Sequence, residues 1–396
     1  MRIGIIKPDF QIVGGFERVL EHVRTELERA GHRVNSVPID VRSLSTHPYG
    51  VRIPEKAWIK AEYYFRYLGL VEQFSALDLA DFDMVLSTQP PSFAASHPRH
   101  LSLFFHHERM FYDLAEAYVE AGYAPATLHP DAVRRVQEVD APRLRAVRHF
   151  LAGGDEVRSR LERFNNLTAN VGDFLAGVDV TDAAAHAESM PSGPVLCVSR
   201  HEFPKRTELF IHAMKLAGDA KGVMVGGGGR LEYVRRLDAW LSAKESDEQN
   251  VSDRELWLNR GEPGAVPEPR RRQPSNVEIC GHVSDEHLAT LYQNALCLVA
   301  PALLEDYGLT ALEAMAYGKP VIVCEDGGHL SNLVHDGVTG LVVPPTARGI
   351  ADAVQRLRDD PRLLRELGLQ ARALAREFTW KRAGLQLLAG VDAVMS

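Results

Sequence analysis

Short apolar runs alternate with longer amphipathic stretches along this chain, and the alternation occurs as two successive series. In the first, residues 2–6, 33–39, 84–87, 101–105 and 150–152 read as strands, and residues 15–30 as a helix stopped at Gly31. In the second, residues 195–198, 222–225, 277–280, 296–299, 321–324 and 340–343 read as strands. Runs this short and apolar suit strands covered on both faces. A strand–helix rhythm implies crossover connections, so each series predicts a parallel sheet with helices on both sides. At 396 residues the chain is too long for one ordinary core. Two doubly wound α/β domains are therefore expected, residues 1–185 and 194–378, with the polar residues 182–193 as the hinge. Residues 243–275 break the rhythm with Glu, Asp, Arg, Gln and Pro, and read as a solvent-exposed, partly disordered insertion.

Bulk properties narrow the function classes. A formal charge of −8 and a pI near 6.1 offer no basic excess for nucleic acid, so no nucleic-acid partner is expected. Cys197, Cys280, Cys297 and Cys324 are far apart, beside apolar runs and without metal-type spacing, and read as buried thiols of a reducing compartment. The first residues read as a strand, and no apolar stretch approaches the roughly 18 residues of a membrane span. A soluble, cytoplasmic protein is the expectation.

The most specific local pattern lies at residues 301–320. An apolar strand ends at Pro301, Glu305 follows in the loop, and residues 308–317 have helical composition, stopped by Gly318 and Pro320. Glu313 then lies inside the helix, roughly 10–12 Å beyond Glu305 at 1.5 Å rise per residue. The amides of Gly308, Leu309 and Thr310 open that helix and form an anion site. A carboxylate, an anion cradle and a second carboxylate in a row match a sugar, a diphosphate and a ribose. Arg200 and Lys205 follow the first strand of the same series, where open α/β sheets bind ligands, and a guanidinium with an ammonium suits a diphosphate.

Three further segments carry weaker signals. Residues 223–231 run from a strand through four glycines into a helix, and read as a tight turn rather than a dinucleotide fingerprint. Gly14 and Gly15 precede the first helix, where backbone can approach a ligand closely. His106 and His107 follow a strand directly, so one of them is expected to face ligand; adjacent residues point apart, which argues against a metal pair. Trp58, Tyr63, Tyr64, Phe65, Tyr67 and Leu68 are interleaved with Lys56, Lys60 and Arg66 in one helical stretch. It reads either as core packing with a solvated edge or as a peripheral contact at the inner membrane face that admits a lipid-linked acceptor.

Residues 281–288, 301–320, 325–328 and 337–344 together resemble, in order, the motifs of the GT-B fold retaining glycosyltransferases of family 4, the glycosyl transferases group 1. The resemblance extends over nearly the whole chain and implies two Rossmann-like domains facing each other across a cleft, with residues 379–396 as a helix crossing back to the first. It implies that Glu305 binds donor-sugar hydroxyls, Glu313 the ribose, and Arg200 with Lys205 the diphosphate. Gly14 and Gly15 would close over the diphosphate, and His106, with His107 as fallback, would stand beside the sugar. The base would sit near Gly281 to Val283. The implied reaction is transfer of a hexosyl unit from a UDP- or GDP-linked donor to a saccharide, lipid-linked or small-molecule acceptor. It would proceed with retention, with no metal and no further cofactor. The chain departs from the family pattern at Gly153-Gly154, where Asn-Ser is usual, and at Ser331, where glutamate is usual.

Competing readings differ in what they require. A glycosidase needs its carboxylates about 5–9.5 Å apart across one bond, not strung along a loop and helix beside an Arg/Lys pair. A sugar-nucleotide epimerase or phosphorylase shares the architecture, because fold does not fix chemistry. A non-catalytic partner subunit would bind donor without turnover.

Overall fold

The computed structural model describes residues 1–11, 14–179, 192–243, 252–269 and 273–396. Two compact units result: Met1–Gly177 with Trp380–Ser396, and Val178–Thr379. The expected hinge, residues 182–193, lies outside the described residues apart from its last two.

The first unit is built on β1 (Arg2–Asp9), β2 (Arg33–Asp40), β3 (Met84–Ser87), β4 (His100–Phe104), β5 (His149–Ala152) and β6 (Val171–Asp173). They form one parallel sheet in the order β2-β1-β3-β4-β5-β6. Every residue of β3 and β4 is buried, as strands covered on both faces require. Two elements differ from expectation. β1 runs on through Lys7, Pro8 and Asp9 instead of turning into a loop, because β2 pairs along its whole length while β3 pairs only as far as Ile6. Beyond Ile6 that side of β1 is an edge, where the missing N–H of Pro8 breaks no ladder. β6 was not anticipated: Val171-Gly-Asp173 is an edge strand three residues long, with no apolar run to mark it.

The helix Gly15–Arg29 buries Val19, Leu20, Val23 and Leu27 along one face. The helix Trp380–Met395 joins the same unit: Trp380 stacks on His22 at 3.7 Å and Gln386 Oε1 accepts the Leu175 N–H at 2.9 Å. In the helix Glu55–Ser75, Tyr67, Val71 and Phe74 enter a core with Phe111, Tyr112 and Val136. Much of the aromatic run at 58–68 is thus core packing.

In the second unit β7 (Val195–Val198), β8 (Gly222–Val225), β9 (Val277–Gly281), β10 (Cys297–Ala300), β11 (Val321–Cys324) and β12 (Gly340–Val343) form a parallel sheet in the order β12-β11-β10-β7-β8-β9. The chain winds outward from β7 to β9, then returns to β10 on the other side and winds the opposite way. The carboxyl ends of β7 and β10 therefore flank a topological switch point, where open sheets leave a crevice for ligands.

The insertion at 243–275 requires a correction for its residues 252–269, which pack against the unit. Leu256 and Trp257 are only 7% and 6% exposed. Buried Arg230 donates to the Asn259 carbonyl at 2.6 Å and the Trp257 carbonyl at 3.1 Å, and pairs with buried Glu208 at 2.7 Å. Tyr233 donates to the Leu256 carbonyl at 2.6 Å. Few apolar residues suffice because polar side chains of the preceding helices supply the anchoring bonds. Residues 244–251 and 270–272 lie outside the described residues. All four cysteines are free; Cys197, Cys297 and Cys324 are buried, and burial pushes the Cys197 and Cys324 thiols up to about 12.

Candidate active site

Past β10 the chain turns sharply at Leu304, a non-glycine residue at φ 48°. The backbone of Glu305 is fixed from both sides: its N–H donates to the Gly327 carbonyl at 2.9 Å, and its carbonyl accepts the His329 N–H at 3.0 Å. Its Oε2 accepts from Lys205 Nζ at 2.5 Å, with the two side chains 14% and 24% exposed. Lys205 ends the short turn Phe203–Lys205 beyond β7. Residues 100 apart in sequence thus meet at the switch point because β7 and β10 are sheet neighbours.

Gly308 opens the helix Leu309–Ala316 at φ 90°, and a Cβ there would lie 2.5 Å from Leu330 Cδ2, so only glycine fits. The N–H groups of Gly308, Leu309 and Thr310 have no protein partner among the described residues. They are the orphan donors every helix start leaves, and with the helix dipole they favour an anion. Glu313 sits half-buried in the same helix and accepts from the Tyr292 hydroxyl at 3.0 Å. The second unit thus brings together Lys205, Glu305 and the helix start, with Glu313 further along. Arg200 stands exposed in the loop after β7. Val283 is half-buried just beyond β9 and ahead of the helix Asp285–Asn294.

Arg206 went unassigned on sequence, yet it organises this corner. It is 1% exposed, adopts φ 49°, and donates to the Pro301 carbonyl at 2.7 Å and the Ala302 carbonyl at 3.2 Å. Its remaining donors pair with Asp326 at 2.5 and 2.8 Å. The Asp326 carbonyl in turn accepts the Leu304 N–H at 2.9 Å, so one guanidinium ties together the loops after β7, β10 and β11. The only sequence signal was its place beside Lys205. Tyr292 gave none, since a lone tyrosine in an amphipathic helix does not advertise a carboxylate partner. The four-glycine turn is structural: a Cβ on Gly226, at φ 130°, would fall 2.0 Å from the Ser199 carbonyl oxygen. Buried His201 bonds the Gly226 carbonyl at 3.0 Å, and burial lowers its imidazole to about 4.

Gly14 precedes the helix Gly15–Arg29, and its N–H donates to Glu17 Oε2 at 2.9 Å, a cap that already occupies this amide. His106 is half-buried, its Nδ1 bonded to the His107 carbonyl at 2.7 Å. His107 is 1% exposed, enclosed by Phe104, Tyr112 and Phe164, and bonded through Nε2 to Asn165 at 2.7 Å. Burial lowers it to about 4, so it stays neutral and belongs to the core, which leaves His106 as the histidine able to meet a ligand. Glycine at 153 has a local cause: a Cβ there would strike Phe105 at 2.6 Å. Ser331 Oγ donates to the Gly328 carbonyl at 2.8 Å. Among the described residues no group of three or more His, Cys, Asp or Glu could hold a metal, and no helix is long and apolar enough to cross a membrane.

Residues 271–374 match the family glycosyl transferases group 1. The D-inositol 3-phosphate glycosyltransferase of Nocardia farcinica is 29% identical over 61% of this chain and 51% of its own. The alpha-D-kanosaminyltransferase of Streptomyces kanamyceticus is 37% identical over 28% of this chain and 29% of its own. The chain thus spans about half the length, or less, of these curated relatives. Among solved structures, sucrose-phosphate synthase from Thermosynechococcus elongatus superposes with a TM-score of 0.65 at 21% identity, covering 98% of this chain and 97% of its own. Anabaena HepE, solved in complex with UDP and glucose, gives 0.61 at 16% identity, covering 99% of each chain. Residues 271–374 are thus similar in sequence to the glycosyl transferases group 1, and the chain as a whole has the GT-B fold of these solved structures.

Proposed function

We propose that the chain is a retaining, metal-independent hexosyltransferase. Its donor is a UDP- or GDP-linked sugar, and its acceptor is a hydroxyl of a saccharide, glycolipid or natural product. The observation that carries this reading is the Lys205–Glu305 pair at the β7/β10 switch point, beside the uncapped start of the helix that holds Glu313. A diphosphate is matched by the Lys205 ammonium, the Arg200 guanidinium and the free amides of Gly308, Leu309 and Thr310. Glu305 uses Oε2 on Lys205, and its Oε1 has no protein partner among the described residues, so it can accept from a sugar hydroxyl. Glu313, steadied by Tyr292, suits the paired hydroxyls of a ribose. UDP and glucose in HepE support the same class of donor.

In this reading the bond between the anomeric carbon and the diphosphate oxygen breaks, and its electron pair leaves on that oxygen. The acceptor hydroxyl attacks on the same face and gives its proton to the departing phosphate. Lys205, Arg200 and the helix amides stabilise the charge that grows on the leaving group, which is where fixed donors lower a barrier most. The base lies by Gly281 to Val283, and the acceptor is assigned to the first unit, where His106 is the half-buried histidine beside the sugar. A thermal-shift screen of UDP, GDP, dTDP and ADP sugars tests this, repeated on Glu313→Ala. Stabilisation by one nucleotide family, lost in the variant, is expected. No stabilisation by any donor at millimolar concentration would overturn the transferase reading, whereas stabilisation without turnover of any acceptor would bring the non-catalytic subunit forward.

A further inference from the structure

The first unit contains a cavity of about 550 Å³ that the transfer reading does not use, between the start of the helix Glu55–Ser75 and the start of the helix His129–Ala146. Its walls are largely apolar, from Ala57, Ala61, Tyr63, Phe65, Leu128 and Ala132. The volume falls within the roughly 300–1,000 Å³ usual for small-molecule sites. The helix breaks where it borders the cavity: Ala61 sits at φ −142°, ψ 34°, inside an otherwise helical run. Residues 55–60 are thereby a separate segment over the opening. Leu128, which lines the cavity, is 41% exposed, so apolar lining reaches the surface.

The charges at the rim are unequal. Arg135 pairs with Glu138 at 3.1 Å, and Asp131 with Arg134 at 2.7 Å, so both are compensated. Lys56 and Lys60 also line the cavity and have no hydrogen-bond or ion-pair partner among the described residues. Four residues apart, they project from one face of the helical segment. An apolar hole with two uncompensated ammonium groups at its mouth is complementary to an apolar chain with an anionic head.

We infer that this cavity binds one molecule of a single-chain anionic amphiphile, its chain among the aromatic walls and its carboxylate or phosphate on Lys56 and Lys60. A bilayer surface fits the same residues less well. Interfacial helices present one broad apolar face and a basic polar face. This helix instead turns Tyr67, Val71 and Phe74 into the core and carries Glu55, Glu62 and Glu72 among its polar residues. The binding surface is concave and of molecular size, which selects a monomer.

Calorimetric titration of the whole chain with monododecyl phosphate below its micelle concentration tests the inference, with dodecyl maltoside as the uncharged chain. Saturable binding near one per chain is expected. The double charge reversal Lys56→Glu/Lys60→Glu should weaken the phosphate at least about tenfold, as loss of charge-assisted bonds does, and leave the maltoside unchanged. Ala57→Trp, which fills the mouth, should weaken both ligands. The charge-reversal sites are exposed, so the fold is expected to survive, and an unchanged thermal midpoint checks that. No saturable binding, or binding indifferent to both variants, would overturn the inference. Charge-dependent binding to phosphatidylglycerol vesicles without binding of the monomer would also overturn it, in favour of a membrane-surface helix.

Discussion

Both sheets reverse their winding once, the first between β1 and β3 and the second between β7 and β10, and the two crevices are furnished in opposite ways. In the first, Thr88 follows β3 and donates its hydroxyl back to the Ile6 carbonyl at 3.0 Å, while its N–H goes to Ser92 Oγ at 2.8 Å. Those bonds close the end of β3 on itself, and the charged Lys7 and Asp9 lie on the extension of β1. In the second, Lys205 meets Glu305, Arg206 meets Asp326, and a helix start with unpaired amides stands beside them. The same winding therefore supplies the place, and side-chain charge decides what can bind there. A buried ion-pair cluster of the first unit lies elsewhere, among its helices. There Asp113 joins Arg109 at 2.6 Å and Arg160 at 3.3 Å, and serves packing.

The sharpest way to break this comparison is to remove the organising group from one crevice and its counterpart from the other. Arg206→Met leaves the carbonyls of Pro301 and Ala302 and the Asp326 carboxylate without their donors. Asp326 is 37% exposed, so water relieves part of the loss, and a destabilisation of about 3 kcal/mol is expected from urea unfolding. Thr88→Val removes one hydroxyl bond in a closed site and should cost about 1 kcal/mol. Equal costs would mean that Arg206 is not the tie that holds the three loops.

Charge at the second crevice is tested without loss of shape by Glu305→Gln. The variant should lower kcat about 10²-fold in a transfer assay while the thermal midpoint moves little, since the amide oxygen can still accept from Lys205. Lys205→Met should match it, and the double variant should be little worse than either, because the two side chains act as one unit. Full additivity would separate them. Glu313→Gln is milder: Tyr292 can still donate to the amide oxygen, and nucleotide affinity should fall about tenfold by calorimetry with kcat nearly unchanged.

Much of this was legible before the structure, and the reason is period and punctuation. Buried parallel strands announce themselves as short apolar runs, and Gly308, Gly318 and Pro320 mark the ends of the helix that carries Glu313. The same logic misses what has no period. β6 is an edge strand of three half-buried residues, and residues 252–269 are anchored by Arg230 and Tyr233 from outside the segment. Arg206 escaped because its role depends on three loops that only the strand order brings together. His106 and His107 look alike in sequence and part company only through burial.

The buried acids of the first unit separate a packing charge from a binding charge by pH. Asp140 Oδ2 accepts from the hydroxyls of Tyr67 at 2.7 Å and Tyr112 at 2.8 Å, and its buried Oδ1 has no partner among the described residues. Burial outweighs these bonds and nearby Arg143, raising the carboxyl from 3.8 to about 7; Glu108, half-buried, is also raised to about 7 by desolvation and by the charge of Asp140. Below pH 7 the folded chain keeps a proton that the unfolded chain has released. Stability contributed by Asp140 is therefore complete below pH 4 and is lost as pH rises towards 7. Each such group can tilt stability by up to about 1.4 kcal/mol per pH unit. His100, His107 and His201 pull the other way: burial lowers each from 6.5 to about 4, so their contribution is lost as pH falls below 6.5. The informative quantity is thus the difference between Asp140→Asn and the parent in urea midpoint from pH 5 to 8. The variant should gain on the parent steadily up to about pH 7 and then run parallel to it. Parallel profiles throughout would mean that Asp140 is ionised across the range.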